Sequence, residues 1–303
     1  MDFQPAYLQL LRSGDLEKRS TELQSQLTDC NLCPRNCGVN RIGGEIGVCG
    51  VGEHAWVSSY GPHFGEEDPL KGWQGSGTIF FSGCNLNCLY CQNSDISQKV
   101  SGTEISEEVL AGIMLELQSR GVHNINLVSP THVVAQIVLA IFNASQRGLH
   151  IPIVYNTGGY DDLKTLQFLD EIIDIYMPDM KYSQAEIGKE LSGVPDYPSQ
   201  NQLAVKEMFR QVGDLQISSS GIAERGLLVR HLVLPDNLAG SVDIFNFLAR
   251  EIPTDTYLNI MDQYRPAYNA ERHKGVSRRI TRGEYQTAVE AALSFGLRRL
   301  DKY

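Results

Sequence analysis

Cys84, Cys88 and Cys91 stand in the run FFSGCNLNCLYCQN with the spacing C-x3-C-x2-C. A [4Fe-4S] cluster that only carries electrons takes four thiolates. A triplet therefore leaves one iron without a protein ligand, an open position of the kind that catalytic metal centres keep. A structural zinc ion would need a fourth donor in this loop, and neither His nor Cys follows Cys91 for thirty residues. The triplet reads as a cluster site with its chemistry at the open iron. Its neighbours fit that reading. Gly75, Ser76 and Gly77 lead into Thr78, Ile79, Phe80 and Phe81, whose apolar run predicts a short buried strand. Gly83 then lets the backbone turn sharply toward a bulky cofactor.

The other four cysteines, Cys30, Cys33, Cys37 and Cys49, fall in CNLCPRNCGVNRIGGEIGVCG with the spacing C-x2-C-x3-C-x11-C. Glycines at 38, 43, 44, 47 and 50 suit a loop wrapped around an ion, with amides free to point at thiolate sulfur. Four thiolates close a structural zinc knuckle or bind a [4Fe-4S] cluster ligated wholly by protein, and the spacing fits either. A third reading is a regulatory set, or one that supports the first cluster in part.

Bulk properties narrow the function classes. With 303 residues, 42% hydrophobic and 20% charged, the chain is globular in composition and long enough for one large or two modest domains. A net charge of -10 and the lack of a basic stripe argue against nucleic-acid binding, which needs a basic surface that releases counterions. The opening MDFQPAYLQLLRSGDLEKRS has acids and a Pro where a signal peptide would have a basic and then an apolar region. The longest apolar stretch, Val133 to Phe142, is interrupted by Gln136 and is short of the ~20 residues of a membrane span. These features predict a cytoplasmic protein without membrane partners, in a reducing compartment where closely spaced cysteines ligate metal rather than form disulfides.

The elements that must position these residues follow from periodicity. Residues 1–28 carry an amphipathic pattern through Leu8, Leu10, Leu11 and Leu16, interrupted by Gly14, and predict short packed helices. Ala55 to Tyr60 reads as a strand, followed by the irregular loop GPHFGEEDPLKGWQGSG. From Gly77 strands alternate with helices, the pattern of parallel βαβ units. A first helix is capped by Ser106 and carries Val109, Leu110, Ile113, Met114 and Leu117 as its apolar stripe. Strands are expected at 124–128, 151–155, 172–177, 227–234 and 257–261, with later helices capped by Asp161 and Ser241. Six such units predict an α/β fold, a partial (β/α)6 TIM-like barrel over residues 76–303. Residues 1–75 form an N-terminal helical and cysteine-rich extension. Polar residues gather where the strands end, the face on which parallel barrels build active sites.

From about Cys30 to Tyr268 the chain resembles the branch of radical S-adenosylmethionine (SAM) proteins related to pyruvate formate-lyase activating enzyme. The resemblance lies in CxxCPRxCGVNR, HFGEEDPLKG, GSGTIFFSGCNLNCLYCQN, the SPTH and NTGGYD turns, and MPDMKY. It implies that Cys84, Cys88 and Cys91 hold a [4Fe-4S] cluster whose open iron chelates SAM. An electron, from a donor such as flavodoxin or ferredoxin, then cleaves SAM to methionine and a 5'-deoxyadenosyl radical. Activating enzymes use that radical to take a hydrogen from a glycine of a glycyl-radical partner. Another peptide or a small molecule is the alternative substrate. A non-catalytic iron-sulfur or zinc protein that carries electrons or scaffolds a partner is the rival class, although it needs neither an open iron nor polar strand ends.

Carried over by position, Tyr90 matches an aromatic near the adenine. Ser129, Thr131 and His132 stand where the family has Gly-Gly-Glu for the SAM amino group, so no acid occupies that turn. Asn156 and Thr157 match a polar position near the ribose or methionine carboxylate. Asp179 and Lys181 resemble the Asp-Leu-Lys of activating enzymes, and Arg230 is a natural counter-ion for a carboxylate. Each also has a plain reading. Asp179 and Lys181 would then pair at a strand end, His132 would cap a helix, and Arg230 would form a salt bridge on the barrel face. Glu66 and Glu67 either form a solvated loop or reach the barrel mouth, and Tyr264 and Arg265 lie where substrate would enter.

Overall fold

The computed structural model describes residues 3–301. Two helices, α1 (Tyr7–Ser13) and α2 (Asp15–Ser25), meet at Gly14, whose φ of 83° breaks the helix between them. After the cysteine-rich loop comes β1 (Ala55–His63), then the short α3 (Asp68–Lys71), β2 (Ser76–Phe81), α4 (Ser94–Ser97) and β3 (Thr103–Ile105). From there strands and helices alternate: α5 (Glu107–Ser119), β4 (Ile125–Val128), α6 (Val134–Gln146), β5 (Ile153–Thr157), α7 (Leu163–Phe168) and β6 (Ile175–Pro178). Next come α8 (Ala185–Ser192), α9 (Tyr197–Val212), β7 (Gln216–Ile217), β8 (Ala223–Leu232), α10 (Ser241–Glu251), β9 (Tyr257–Met261) and α11 (Arg282–Ser294). Among the described residues no helix is long and apolar enough to cross a membrane.

Strands β2, β4, β5, β6, β8 and β9 pair in parallel in that order, giving the six-stranded parallel core expected of the βα pattern. The parallel sheet is buried on both faces, which is why its strands read as apolar runs rather than alternations. Outer helices close the core. In α5, Leu110, Ile113, Met114 and Leu117 face inward, while Val109, counted in the apolar stripe from sequence, is half exposed. Ser106 caps that helix, its Oγ accepting from Val109 N at 3.4 Å. Two other expected caps are displaced. Asp162, not Asp161, caps α7 through Thr165 N, and Gly240 precedes α10 while Ser241 turns its Oγ toward His231 Nε2 at 2.9 Å.

Antiparallel β1 lies against β2 and carries β3 on its far side, so the segment before residue 76 joins the barrel sheet through a backbone ladder. The N-terminal helices are fastened to the same body. Asp174, buried at the start of β6, accepts from Ala6 N at 3.1 Å and Ile153 N at 2.9 Å, and Tyr7 donates its hydroxyl to Ile151 O at 2.8 Å.

Register decides what meets at the strand ends. Val128 of β4 pairs with Asn156 of β5, Thr157 pairs with Pro178 of β6, and Asp179 bridges to Arg230 on β8. Three turns far apart in sequence are thereby brought side by side on one rim.

Candidate active site

The triplet loop begins where β2 stops. Gly83 has φ 83°, and a Cβ there would come within 2.5 Å of Cys49 O and 2.7 Å of a Val51 methyl, so only glycine lets the two cysteine loops touch. The loop is held by the end of α8: Leu89 N donates to Leu191 O at 2.8 Å, and Asn87 N to Ser192 O at 3.2 Å. Each thiol has a donor or a hydroxyl beside it. Leu86 N lies 3.4 Å from Cys84 Sγ, Ser192 Oγ donates to Cys88 Sγ at 3.0 Å, and Ser97 Oγ is 3.0 Å from Cys91 Sγ. Hydrogen bonds of this kind orient sulfur ligands. Burial, reinforced by neighbouring Cys88, pushes the Cys84 thiol up to about 12. Burial also raises Cys88, against the opposing charge of Lys181. Such thiols stay protonated in water-poor surroundings until a cation takes the place of the proton.

All three cysteines line a cavity of about 300 Å3, in the range of small-molecule sites. Tyr90 lines it too, with its hydroxyl 2.6 Å from that of Tyr182, which lies 2.7 Å from Ser192 Oγ. A run of hydroxyls thus ends on Cys88. Ser192 gave no signal in sequence, because only folding brings the end of α8 to the loop, and Tyr182 was visible only as the last residue of MPDMKY.

The opposite wall is built from strand ends. Ser129, Thr131, Asn156, Thr157, Asp179, Lys181 and Arg230 all reach this cavity. Ser129 has a left-handed φ of 58° and donates its N–H to Asn156 O at 2.9 Å, which fixes the turn after β4. Position 159 takes glycine because its φ is 76° and a Cβ there would lie 2.1 Å from Asp179 O. Behind the wall stands Asp161, an acid whose place before α7 also suits a helix cap. Asp161, 2% exposed, accepts from Thr131 Oγ1 at 2.6 Å, Thr157 Oγ1 at 2.7 Å and the Tyr155 hydroxyl at 3.1 Å. Burial raises its carboxyl, and the three hydroxyl donors oppose that rise. With the hydrogens of both threonines given to Asp161, Thr131 Oγ1 keeps its lone pairs for a donor in the cavity, and Thr157 Oγ1, which also accepts from Gly159 N at 3.1 Å, keeps one.

Asp179 joins two cations, with Lys181 Nζ at 2.6 Å and Arg230 Nε at 2.9 Å, while Arg230 Nη2 also reaches Asn156 Oδ1 at 2.8 Å. Burial alone would raise the Asp179 carboxyl, and Arg230 and Lys181 outweigh it and hold the group low. Burial would likewise lower Lys181, and Asp179 raises it instead. Two cations against one acid leave this rim net positive.

His132 is the exception among the expected cofactor residues. Its ring turns away from this cavity, with Nε2 2.9 Å from Ser82 O, and burial lowers it to about 4. It lines a second, smaller cavity instead, around which Cys30, Cys33, Cys37 and Cys49 stand together. Arg41, 1% exposed, lines that space too. It donates to Gly52 O and His132 O, both at 2.7 Å, lies 3.9 Å from Cys30 Sγ, and leaves Nη2 without a partner. Burial pushes the Cys33 thiol up to about 12, with a backbone hydrogen bond of Arg35 opposing it. Asn85 borders both cavities, accepting from Arg35 Nε at 2.8 Å and donating to Tyr160 O at 2.7 Å. Among the described residues no three His, Cys, Asp or Glu side chains converge closely enough to hold a single metal ion.

These sites fit the comparisons with known proteins. A family model described as the radical SAM superfamily matches residues 78–221, the stretch that carries the triplet and the strand ends through Lys181. An uncharacterized protein of Methanocaldococcus jannaschii is 31% identical over 281 residues, covering 89% of this chain and 75% of that protein. Among solved structures, anSMEcpe with bound AdoMet and the Cp18Cys peptide aligns with a TM-score of 0.49 at 15% identity. The alignment covers 72% of this chain and 60% of that one. The FeFe-hydrogenase maturase HydG from Carboxydothermus hydrogenoformans aligns with a TM-score of 0.49 at 17% identity, covering 72% of this chain and 50% of that one. This chain thus spans about half to three-fifths of the length of those two structures. With the cysteine triplet at the end of the first parallel strand, and the family model lying over four of the six strands of the βα core, the chain carries a domain of the radical SAM superfamily.

Proposed function

We propose that this protein reductively cleaves SAM at a [4Fe-4S] cluster held by Cys84, Cys88 and Cys91. Bound together, cluster and SAM would supply a 5'-deoxyadenosyl radical for hydrogen abstraction. One observation carries the reading: three thiols and a net-positive strand-end rim line the same cavity.

The chain's own residues would orient the cofactor. Lys181 and Arg230, steadied by Asp179, offer positive charge to the methionine carboxylate. Thr131 and Thr157 present lone pairs to the ammonium group, with Asp161 behind them providing the negative charge that the turn itself lacks. Tyr90 offers an apolar wall to the adenine, and Asn156, fixed by Arg230, faces the ribose. Ser129 shapes the turn.

Residues 1–75 serve in this reading as a cysteine-rich extension of the 76–303 barrel, with residues 1–2 and 302–303 outside the described part. Its four cysteines would hold a second [4Fe-4S] cluster or a zinc ion, supported by their lining one cavity beside a buried arginine; a single zinc ion would need the thiols to draw closer than they stand. We place the protein in the cytoplasm, with flavodoxin or ferredoxin as electron donor. The family resemblance points first to a glycyl-radical enzyme as substrate, then to another peptide or a small molecule. The test is anaerobic reconstitution followed by dithionite and SAM. Formation of 5'-deoxyadenosine supports the proposal, and its absence from cluster-loaded protein overturns it.

A further inference from the structure

Next to the SAM cavity lies another of about 460 Å3, and the two share Arg230, Met261 and Gln263. It opens between the loop before α3 and the outer edge of β9, where residues 258 and 300 form a bridge. Its lining is acidic: Glu66, Glu67, Asp262 and Asp301, with Arg230 as the one cation among the described lining residues. That arginine already serves Asp179 and Asn156.

Glu67 makes this more than a cluster of acids. It is 5% exposed, and Oε1 accepts from Asn259 Nδ2 at 2.8 Å across 192 residues of sequence. Its Oε2 is buried with no partner. A carboxylate oxygen shut from water and left without a donor is costly, and the cost falls when a donor with positive charge arrives. Glu66 stands beside it, with Oε1 3.1 Å from His63 Nδ1. A single metal ion is a poor candidate, since the space far exceeds one ion.

We infer that this acid-lined cavity is the substrate subsite and takes a positively charged nitrogen, an alkylammonium or a guanidinium, on a peptide side chain or a small free amine. The inference rests on the proposed SAM cleavage next door. A substrate anchored at Glu67 has only the shared wall of Arg230, Met261 and Gln263 between it and the cofactor.

Anaerobic calorimetry on the full, cluster-loaded chain tests this. The cationic probes are n-butylammonium and Nα-acetyl-lysine amide. The neutral probes are n-butanol and Nα-acetyl-norleucine amide. Both cations should bind and both neutral analogues should not. Glu67→Gln keeps an acceptor for Asn259 and should weaken cation binding about tenfold, the range for a hydrogen bond to a charge. Glu66→Gln should weaken it less, and Glu104→Gln, at an exposed site on β3, should leave it unchanged. Tighter binding of the lysine amide than of butylammonium identifies a peptide, and the reverse a small amine. Neutral probes binding as well as cations, or a folded Glu67→Gln binding cations like wild type, overturns the inference. The wild-type selectivity decides the matter even if Glu67→Gln does not fold. SAM cleavage by the wild type without probe is measured on the same preparation. If it fails while cations bind, the cleavage reading falls and the cation site stands.

Discussion

The two cysteine sites use the same ligand chemistry in opposite surroundings. Cys30, Cys33, Cys37 and Cys49 frame a small space that buried Arg41 also lines, too small itself for a cofactor the size of SAM. Cys84, Cys88 and Cys91 open on a cavity whose far wall is a rim of polar strand ends. They share a wall, through Asn85 and the contact of Gly83 with Cys49. Four donors around a small pocket can saturate a metal centre. Three donors facing charged and hydroxyl groups leave a position for something else to bind. What separates a structural centre from a reactive one here is the lining as much as the ligand count.

Breaking either site should therefore have different consequences. Cys84→Ala, Cys88→Ala and Cys91→Ala should each abolish 5'-deoxyadenosine formation, measured chromatographically after dithionite and SAM, while leaving the melting temperature of the fold largely in place. Alanine at Cys30, Cys33, Cys37 or Cys49 should first lower solubility and melting temperature, because closing a glycine-rich loop around metal contributes folding free energy directly. If both sets lost activity equally with no loss of stability, the quartet would belong to the reaction and the contrast would collapse.

Metal analysis sharpens the same contrast. Two clusters correspond to about eight irons per chain, and one cluster with zinc to about four irons and one zinc. Four irons, no zinc and four titratable thiols would leave the quartet as bare cysteines.

Much of this architecture was legible in the sequence, and the failures have physical causes. The sixth parallel strand, Tyr257–Met261, fell where its apolar run placed it. The third slid from 151–155 to 153–157, because Pro152 has no N–H to give a ladder and the pairing continues into Asn156 and Thr157. Both cysteine sets were visible from spacing alone. Asp161 was missed because two adjacent aspartates precede α7 and either suits a cap; only the approach of Thr131 and Thr157 shows which one is buried. The direction of the His132 ring is equally invisible before α6 packs. The acid cavity required Glu67 and Asn259 to meet across the whole barrel.

Protons separate the two kinds of stabilisation. Burial raises the Asp174 carboxyl to about 7, against the opposing hydrogen bonds from Ile153 and Ala6. A carboxyl raised on folding binds an extra proton in the native state between its unfolded value near ~4 and its folded value. Across that window stability falls as pH rises, and the contribution is gone above it. Metal-bound thiolates act with the opposite sign, since binding must displace protons and strengthens as pH rises. Urea unfolding of wild type and Asp174→Asn between pH 4 and 7.5 should show the descending component only in wild type. Equal pH slopes in the two proteins would rule out Asp174 as its source.

The smallest effects lie on the rim of the open cavity. SAM titration of the oxidised cluster separates binding from cleavage. Arg230→Ala should weaken binding most, by up to ~3 kcal/mol, because it removes a charged donor and leaves Asp179 and the methionine carboxylate to share Lys181. Thr131→Val removes one neutral oxygen and frees Asp161 from one of its hydroxyl donors, so it should cost ~0.5–1.5 kcal/mol. Ser129→Ala should cost least, since the role of Ser129 lies in a positive φ and a backbone hydrogen bond that both survive the change. The order Arg230, Thr131, Ser129 is the signature of a rim that reads charge first and hydroxyls second. If all three variants bound SAM like wild type, the strand ends would not line the cofactor site, and the proposed SAM position would stand on the cysteine triplet alone.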